Sequence, residues 1–217
     1  VPLSGGIFIF FPVLNLLIYD QVSIGLIFFL LFFLGLCSDL NILSSPKKRF
    51  LIQIIILIIF VFFSKLSVLP TRIEFIDKIF SYPILNYLFT AFCLMVLING
   101  SNFIDGLNGL LIGYFLIVMF FIYNLNLLNI SDLNNFKELS ILITFLFLIV
   151  MNYFNKLFLG DNGAYSLSFL IGVLLINIYN LNSNISPYFI ILLLWYPCFE
   201  NLFSIIRKFI EKKNPLK

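Results

Sequence analysis

Three aspartates, Asp39, Asp105 and Asp161, each lie at or near the end of an apolar segment. Polar groups at the ends of membrane-spanning segments are costly and usually serve chemistry. Two carboxylates about 4 Å apart repel by roughly 4 kcal/mol at an effective dielectric of 20, so a cluster needs a cation. Oxygen ligands in a chain without histidine suit Mg²⁺ or Mn²⁺. The three residues predict a divalent-cation site if they converge, whereas each alone could cap a helix or a turn.

The stretch from Asn99 to Leu110 concentrates this polarity. It places one carboxylate, three amides, one hydroxyl and three glycines between two apolar runs. Glycine beside a carboxylate lets backbone or ligand approach closely. The basic run at 47–49 lies near Asp39 and could bind either a phosphate or lipid headgroups. A phosphorylated substrate that meets a lipid at the membrane surface fits these residues.

The composition indicates an all-α, polytopic membrane helix bundle that forms a single domain over residues 1–217. The chain is 62% hydrophobic and 11% charged, with a mean hydropathy of +1.11. A soluble domain carries about 25% charged residues. The net charge of +3 is too small to suggest a nucleic-acid partner, and the lack of histidine excludes histidine-ligated zinc in this stretch.

The hydropathy pattern predicts about eight transmembrane segments. They are residues 7–19, 22–36, 50–64, 84–98, 107–124, 139–152, 164–180 and 187–206. If these segments alternate in direction, the loops 37–49, 99–108, 152–163 and 207–217 fall on one side. That side holds nine of the thirteen lysines and arginines, so we expect it to face the cytoplasm. All three aspartates fall on this side.

The order and spacing of several motifs resemble one enzyme family. The motifs are Gly35-Leu36 before Asp39, Asn99-x-x-Asn102-x-x-Asp105-Gly106-x-x-Gly109-Leu110, and Asn152 followed by Phe158-Leu159-Gly160-Asp161-x-Gly163. This set is similar to the polyprenyl-phosphate N-acetylhexosamine-1-phosphate transferases, glycosyltransferase family 4. The family also contains the phospho-N-acetylmuramoyl-pentapeptide transferase of peptidoglycan synthesis. Pro2-Leu3-Ser4-Gly5-Gly6 resembles the family's loop after its first helix.

The resemblance implies a Mg²⁺-dependent enzyme, with Mn²⁺ as an alternative cofactor. Such an enzyme transfers a sugar-1-phosphate from a UDP-sugar to a polyprenyl phosphate such as undecaprenyl phosphate and releases UMP. The implied place is the bacterial cytoplasmic (inner) membrane, with the active site on the cytoplasmic face. The partners are the UDP-sugar, the polyprenyl phosphate, membrane lipid and a second copy of the chain in a homodimer.

The resemblance also implies roles for individual residues. Asp161 and Asp105 match metal-binding positions, and Asp39 matches a position near the lipid phosphate. All three are the predicted catalytic residues. Phe158 matches a position that packs on uracil, although an apolar aromatic side chain more often belongs to the core. The predicted substrate-binding residues are Asn102, Asn108, Asn152, Phe158, Lys48 and Arg207.

Several positions depart from the family pattern. Ser38 stands where the family has the first Asp of a pair, and a serine alone is neither a strong Mg²⁺ ligand nor a general base. The lipid phosphate does not need a base if it is already ionised, because its second pKa is about 6. Asn108 replaces a second Asp, and Glu200 follows Tyr196-Pro197 where Asp is usual. Glu200 and Arg207 are spaced to share a helix face.

These departures favour a polysaccharide or O-antigen enzyme over the peptidoglycan enzyme, which stays the nearest rival. An inactive homologue and a membrane transporter also stay open. A transporter should place charge near mid-span and show an inverted repeat. The family has a first helix, a histidine-rich loop and a last helix that this sequence does not include, so we expect the chain to be incomplete at both ends.

Overall fold

A computed structural model describes residues 5–9, 22–68, 70–106, 109–125, 135–182 and 184–211. Within these ranges the regular structure is entirely α-helical, and no strand occurs. The prediction of an all-α fold is confirmed for this part of the chain.

Apolar runs form the helices, and proline opens three of them. The helices are α1 (Val22–Asp39), α2 (Pro46–Ser64), α3 (Glu74–Phe80), α4 (Pro83–Ile104), α5 (Leu110–Asn124), α6 (Asn135–Tyr153), α7 (Gly160–Leu181), α8 (Pro187–Leu193) and α9 (Trp195–Ile210). Residues 5–9 are also helical. Proline suits the first helical position because the N–H that it lacks would have no partner there.

Two helices extend beyond their predicted bounds and include polar residues that were predicted to lie in loops. Helix α4 continues to Ile104, beyond the predicted end at 98, and α7 begins at Gly160, ahead of the predicted start at 164. The polar side chain of Asn99 is compatible with helix because it bonds within the bundle. Asn99 donates to the Met95 carbonyl at 2.9 Å and to Gln53 Oε1 at 3.4 Å. Asp161 therefore lies in the first turn of α7 rather than in a loop.

Two described helices, α4 and α7, are long and apolar enough to cross a membrane. The bent pair α8–α9 makes a third if it counts as one span, and α1, α5 and residues 143–153 of α6 are shorter apolar helices. These helices agree with a membrane helical protein. Most of the predicted segment 7–19 lies outside the described residues, and the total of about eight spans stays a prediction.

Helix α7 lies at the centre of the bundle and is buried along most of its length. One side contributes Ile171 and Leu175 to a core shared with α5, and the other contributes Phe169 to a core shared with α1, α2 and α4. Small residues allow close helix packing, which drives association within lipid. A Cβ at Gly172, for example, would lie 2.8 Å from Leu94 Cδ2.

The predicted span 187–206 is instead two helices that meet at an angle of 64°. Pro197 explains the break, because it has no N–H for the Leu193 carbonyl and its ring collides with that group. The Tyr114 hydroxyl donates to the Leu193 carbonyl in its place. The Pro197 backbone packs against Gly100, where a Cβ would lie 2.6 Å from the Pro197 carbonyl carbon.

The loops meet at two opposite ends of the bundle, as alternating apolar segments predict. At one end, Arg72 Nη2 donates to the Ile185 carbonyl at 2.8 Å, and Asn180 donates to the Ser67 carbonyl at 2.9 Å. At the other end lie the loops that carry the three aspartates. Which end faces the cytoplasm stays a prediction.

Candidate active site around the N-terminus of α7

Asp39 and Asp105 both lie at the N-terminus of α7 and interact with its backbone. The Asp39 carboxylate accepts the backbone N–H groups of Asp161 at 3.0 Å and Asn162 at 3.1 Å. Asp105 lies close enough to the backbone N–H of Gly160 for that group to lower the pKa of its carboxyl. The first N–H groups of a helix have no partner within it, and carboxylates also interact favourably with the positive end of the helix dipole. Asp39 therefore caps α7 from another segment, and Asp39 and Asp105 both lie near Asp161.

Asp161 is held through one carboxylate oxygen. Its Oδ2 accepts hydrogen bonds from Ser38 Oγ at 2.5 Å, Arg49 Nη1 at 2.5 Å and Tyr165 Oη at 3.3 Å. Arg49 Nη1 also donates to Ser38 Oγ. Within the described part of the chain, Asp161 Oδ1 accepts no hydrogen bond. The side chains of Arg49 and Asp161 are each 22% exposed, so solutes can reach this ion pair.

Asp105 is a buried carboxyl group that lies close to two other carboxylates. Burial, and to a smaller extent the carboxylates of Asp161 and Asp39, raise the pKa of Asp105 to about 8, against the opposing effect of the Gly160 N–H. Three carboxylates thus lie together, and Arg49 is the cation that pairs with them among the described residues. A divalent cation would restore the balance and favour the ionised form of Asp105.

Glycines allow the surrounding segments to reach this helix end. Gly35 packs on the α7 backbone, and a Cβ there would lie 2.6 Å from the Asp161 carbonyl carbon. Gly5 and Gly6 donate their N–H groups to the carbonyls of Phe158 and Leu159, at 2.9 and 3.2 Å. The end of α1 and residues 5–6 therefore lie close enough to fix the start of α7.

Asn152, a predicted substrate ligand, braces two loops in this structure. Its side chain is 3% exposed. The amide nitrogen donates to the Leu157 carbonyl at 3.1 Å, and Oδ1 accepts the backbone N–H of Gly109. Asn152 thus ties the loop that follows Asp105 to the loop that precedes Asp161. A direct contact with substrate stays a prediction.

The other predicted amide and aromatic ligands are placed as follows. Phe158 is half-buried in the loop before α7, and Asn102 is half-buried near the end of α4. Both positions border the aspartates. Asn108 lies outside the described residues. Uracil stacking by Phe158 stays a prediction.

The basic side chain that reaches the aspartates is Arg49, whereas Lys48 is exposed. Consecutive residues point in different directions around a helix, so only one of the pair can turn inward. Arg207 is exposed on α9 and lines one groove with Glu200, in agreement with their predicted shared face. The next residue, Lys208, lies 5.4 Å from the centre of the Phe103 ring, so the end of α9 lies beside the end of α4.

Sequence reasoning missed Arg49, Ser38 and Tyr165 as partners of Asp161. Tyr165 follows Asp161 by four residues, which places both on one helix face. Arg49 belonged to the predicted basic run, but the choice within that run needed the helix register. Ser38 was interpreted only as a missing carboxylate, and its hydroxyl links Arg49 to Asp161.

The donor chemistry fits Mg²⁺, but not as a complete protein cage. In the described ranges, no three acidic or cysteine side chains are grouped to hold a metal ion. Mg²⁺ is commonly held by one or two carboxylates plus substrate phosphates. Asp161, through Oδ1, and Asp105 could supply those carboxylates. The residues fit a cation that arrives with a phosphorylated substrate.

Comparisons with known proteins match most of the chain to one family. The family model "Glycosyl transferase family 4" matches residues 21–179. The chain is 30% identical to a phospho-N-acetylmuramoyl-pentapeptide-transferase of Prochlorococcus marinus over 194 residues, 79% of this chain and 52% of that protein. It is 29% identical to a probable undecaprenyl-phosphate N-acetylglucosaminyl 1-phosphate transferase of Bacillus subtilis over 187 residues, 85% of this chain and 52% of that protein.

A second phospho-N-acetylmuramoyl-pentapeptide-transferase, from Dictyoglomus thermophilum, is 30% identical over 181 residues, 76% of this chain and 56% of that protein. The chain thus spans about half the length of the curated relatives it matches. No solved structure matches it. The family model covers most of the sequence and joins the segments that carry Asp39, Asp105 and Asp161, so the chain belongs to glycosyl transferase family 4.

Proposed function

We propose that this chain transfers a sugar-1-phosphate, N-acetylhexosamine-1-phosphate, from a UDP-sugar to a polyprenyl phosphate and so begins assembly of a cell-surface polysaccharide or O-antigen. The observation that carries the proposal is the meeting of Asp39, Asp105 and Asp161 at one helix end. This end borders apolar helices, so a water-soluble nucleotide and a lipid-held phosphate can both reach it. The proposed location is the cytoplasmic face of the bacterial inner membrane.

The proposed reaction is a phosphoryl transfer between two anions. An oxygen of the lipid phosphate attacks the β-phosphorus of the UDP-sugar. The bond from that phosphorus to the bridging oxygen breaks, and UMP leaves with the bridging oxygen. The nucleophile is already ionised near neutral pH, so no carboxylate has to remove a proton. Catalysis then consists mainly of positioning and charge stabilisation.

The aspartates have distinct proposed roles. Both oxygens of Asp39 accept N–H groups of α7, so Asp39 positions the start of that helix rather than acting as a base. Asp161 and Asp105 would hold Mg²⁺, which supplies positive charge for the diphosphate. Arg49 supplies further positive charge at the same point. Asn152 keeps the loops around Asp105 and Asp161 in register.

The peptidoglycan reaction is the second candidate, and the Prochlorococcus and Dictyoglomus relatives support it by their names. The chemistry at phosphorus is the same, and only the sugar differs. The described helices give no support to a transporter, because these aspartates lie at helix ends on one side rather than at mid-span.

The test uses the purified full-length protein with undecaprenyl phosphate and Mg²⁺, and UMP release is the readout. UDP-N-acetylglucosamine and UDP-N-acetylmuramoyl-pentapeptide are supplied in separate reactions. We expect release from the first. Release from the second alone would move the assignment to the peptidoglycan reaction. Release from neither, by a protein that is folded, would favour an inactive homologue.

A further inference from the structure

Arg49 binds Asp161 in a way that leaves most of its hydrogen-bonding capacity unused. A guanidinium carries five N–H donors and often grips a carboxylate with two of its nitrogens. Here the contacts with Asp161 and Ser38 both run through Nη1. Arg49 Nε is buried and has no hydrogen-bond partner among the described residues. A single-pronged pair of this kind separates more readily than a forked one.

The same carboxylate is the proposed ligand of the divalent cation, an inference that rests on the proposed function. Asp161 Oδ2 accepts hydrogen bonds from Arg49 and Ser38, and Oδ1 could hold the cation. A divalent ion held by Asp161 would share that carboxylate with the Arg49 guanidinium. Two positive charges that share one carboxylate repel each other, and the repulsion is strong outside bulk water, so each would weaken the binding of the other. The cation and Arg49 therefore compete, even though they use different oxygens.

We propose that Arg49, bridged by Ser38, is an internal counterion that competes with the divalent cation for Asp161. It holds the carboxylate ionised and oriented when no cation is bound. Arg49 and Ser38 are thus positioning residues whose presence weakens binding of a cation on its own. By linkage, the cation weakens the Arg49–Asp161 pair by the same factor and frees Arg49 for another anion.

The test measures binding of Mn²⁺ alone, with no nucleotide or lipid, to the purified full-length protein by electron paramagnetic resonance. Arg49→Met removes the charge and should tighten Mn²⁺ binding by about tenfold, within the usual range of coupling between sites. Arg49→Lys keeps the charge and should stay near wild type. Lys47→Met is the matched control, because it removes one charge from an exposed neighbour on the same turn. Asp161→Asn should abolish the measured binding.

Ser38→Ala gives a second reading without any change of charge. Loss of the bridge should tighten Mn²⁺ binding by about fivefold, the low end of the usual range of coupling between sites. This variant keeps the proposal testable if Arg49→Met does not fold. Ordinary structural damage would loosen the site. Weaker or unchanged Mn²⁺ binding by Arg49→Met would overturn the proposal. If Arg49→Met is unfolded, the same result for Ser38→Ala would overturn it. Wild-type Mn²⁺ binding by Asp161→Asn would also overturn it.

The two proposals can fail separately. If Arg49→Met bound Mn²⁺ more tightly but the wild-type protein released no UMP, the counterion proposal would be supported and the transferase assignment contradicted. If the wild-type protein released UMP but Arg49→Met left the Mn²⁺ affinity unchanged, the transferase assignment would be supported and the counterion proposal contradicted.

Discussion

Replacing Gly35 with alanine should drive α1 away from α7 and take Asp39 off the helix end. A Cβ at Gly35 would lie 2.6 Å from the Asp161 carbonyl carbon, well inside normal contact. The obstruction is backbone, so no side-chain rotation relieves it. Asp39 lies one turn further along α1, and its hydrogen bonds to the Asp161 and Asn162 N–H groups are only 3.0 and 3.1 Å long.

The expected loss of stability combines two effects. Overpacking of a close contact costs about 1–3 kcal/mol. Each hydrogen bond to a charged acceptor contributes about 1.5–3 kcal/mol. The better helix propensity of alanine returns only about 1 kcal/mol. We therefore expect Gly35→Ala to lower the free energy of unfolding by at least about 3 kcal/mol.

Gly113→Ala in α5 is the matched control. A Cβ at Gly113 would meet Ile149 Cδ1 at 3.4 Å, which is an ordinary contact. This variant should gain up to about 1 kcal/mol from helix propensity. Unfolding in mixed micelles, followed by far-ultraviolet circular dichroism, measures both variants. If Gly35→Ala proved as stable as wild type, the close approach of α1 to α7 would be refuted.

Three further predictions address other contacts. Because the folded protein keeps the Asp105 proton up to about pH 8 and the unfolded chain releases it near 3.8, stability without metal should fall as pH rises between these values. Asp105→Asn should flatten this fall in melting temperature, and an unchanged slope would contradict the buried environment of Asp105. Tyr114→Phe leaves the Leu193 carbonyl without its donor and should cost about 1–3 kcal/mol, measured by denaturant unfolding, whereas the exposed Tyr188→Phe should be neutral. Asn152→Leu should cost several kcal/mol and raise amide hydrogen exchange at Gly109; unchanged exchange there would contradict the brace.

Hydropathy alone predicted the helical fold and the two ends of the bundle, because apolar runs in this chain have few structures open to them besides helix. It misplaced helix ends where polar residues continue a helix, as at Asn99 and Asp161, since those side chains find partners on neighbouring helices. It also missed the break at Leu194. Pro197 was visible in the sequence, but a proline marks a kink only when the helix is known to pass through it.

The alternation of spans predicted that the three aspartates lie on one side of the bundle, but it did not predict their hydrogen-bond partners. Alternation places loops on the same side, but the register of α2 decides that Arg49 rather than Lys48 turns towards Asp161. Asn152 was predicted as a substrate ligand from its residue type. In the structure, its amide oxygen and its amide nitrogen both form hydrogen bonds with the backbone. Such choices depend on tertiary contacts that no local pattern encodes.

UMP release by Asp161→Asn, compared with wild type, tests the central claim most directly. The variant keeps the size of the side chain and loses the charge. The claim predicts a rate at least about 100-fold lower in the presence of Mg²⁺ and both substrates. Glu74→Gln, the same change at an exposed position on α3, should match wild type. A folded Asp161→Asn protein that releases UMP at the wild-type rate would contradict the assignment of this site.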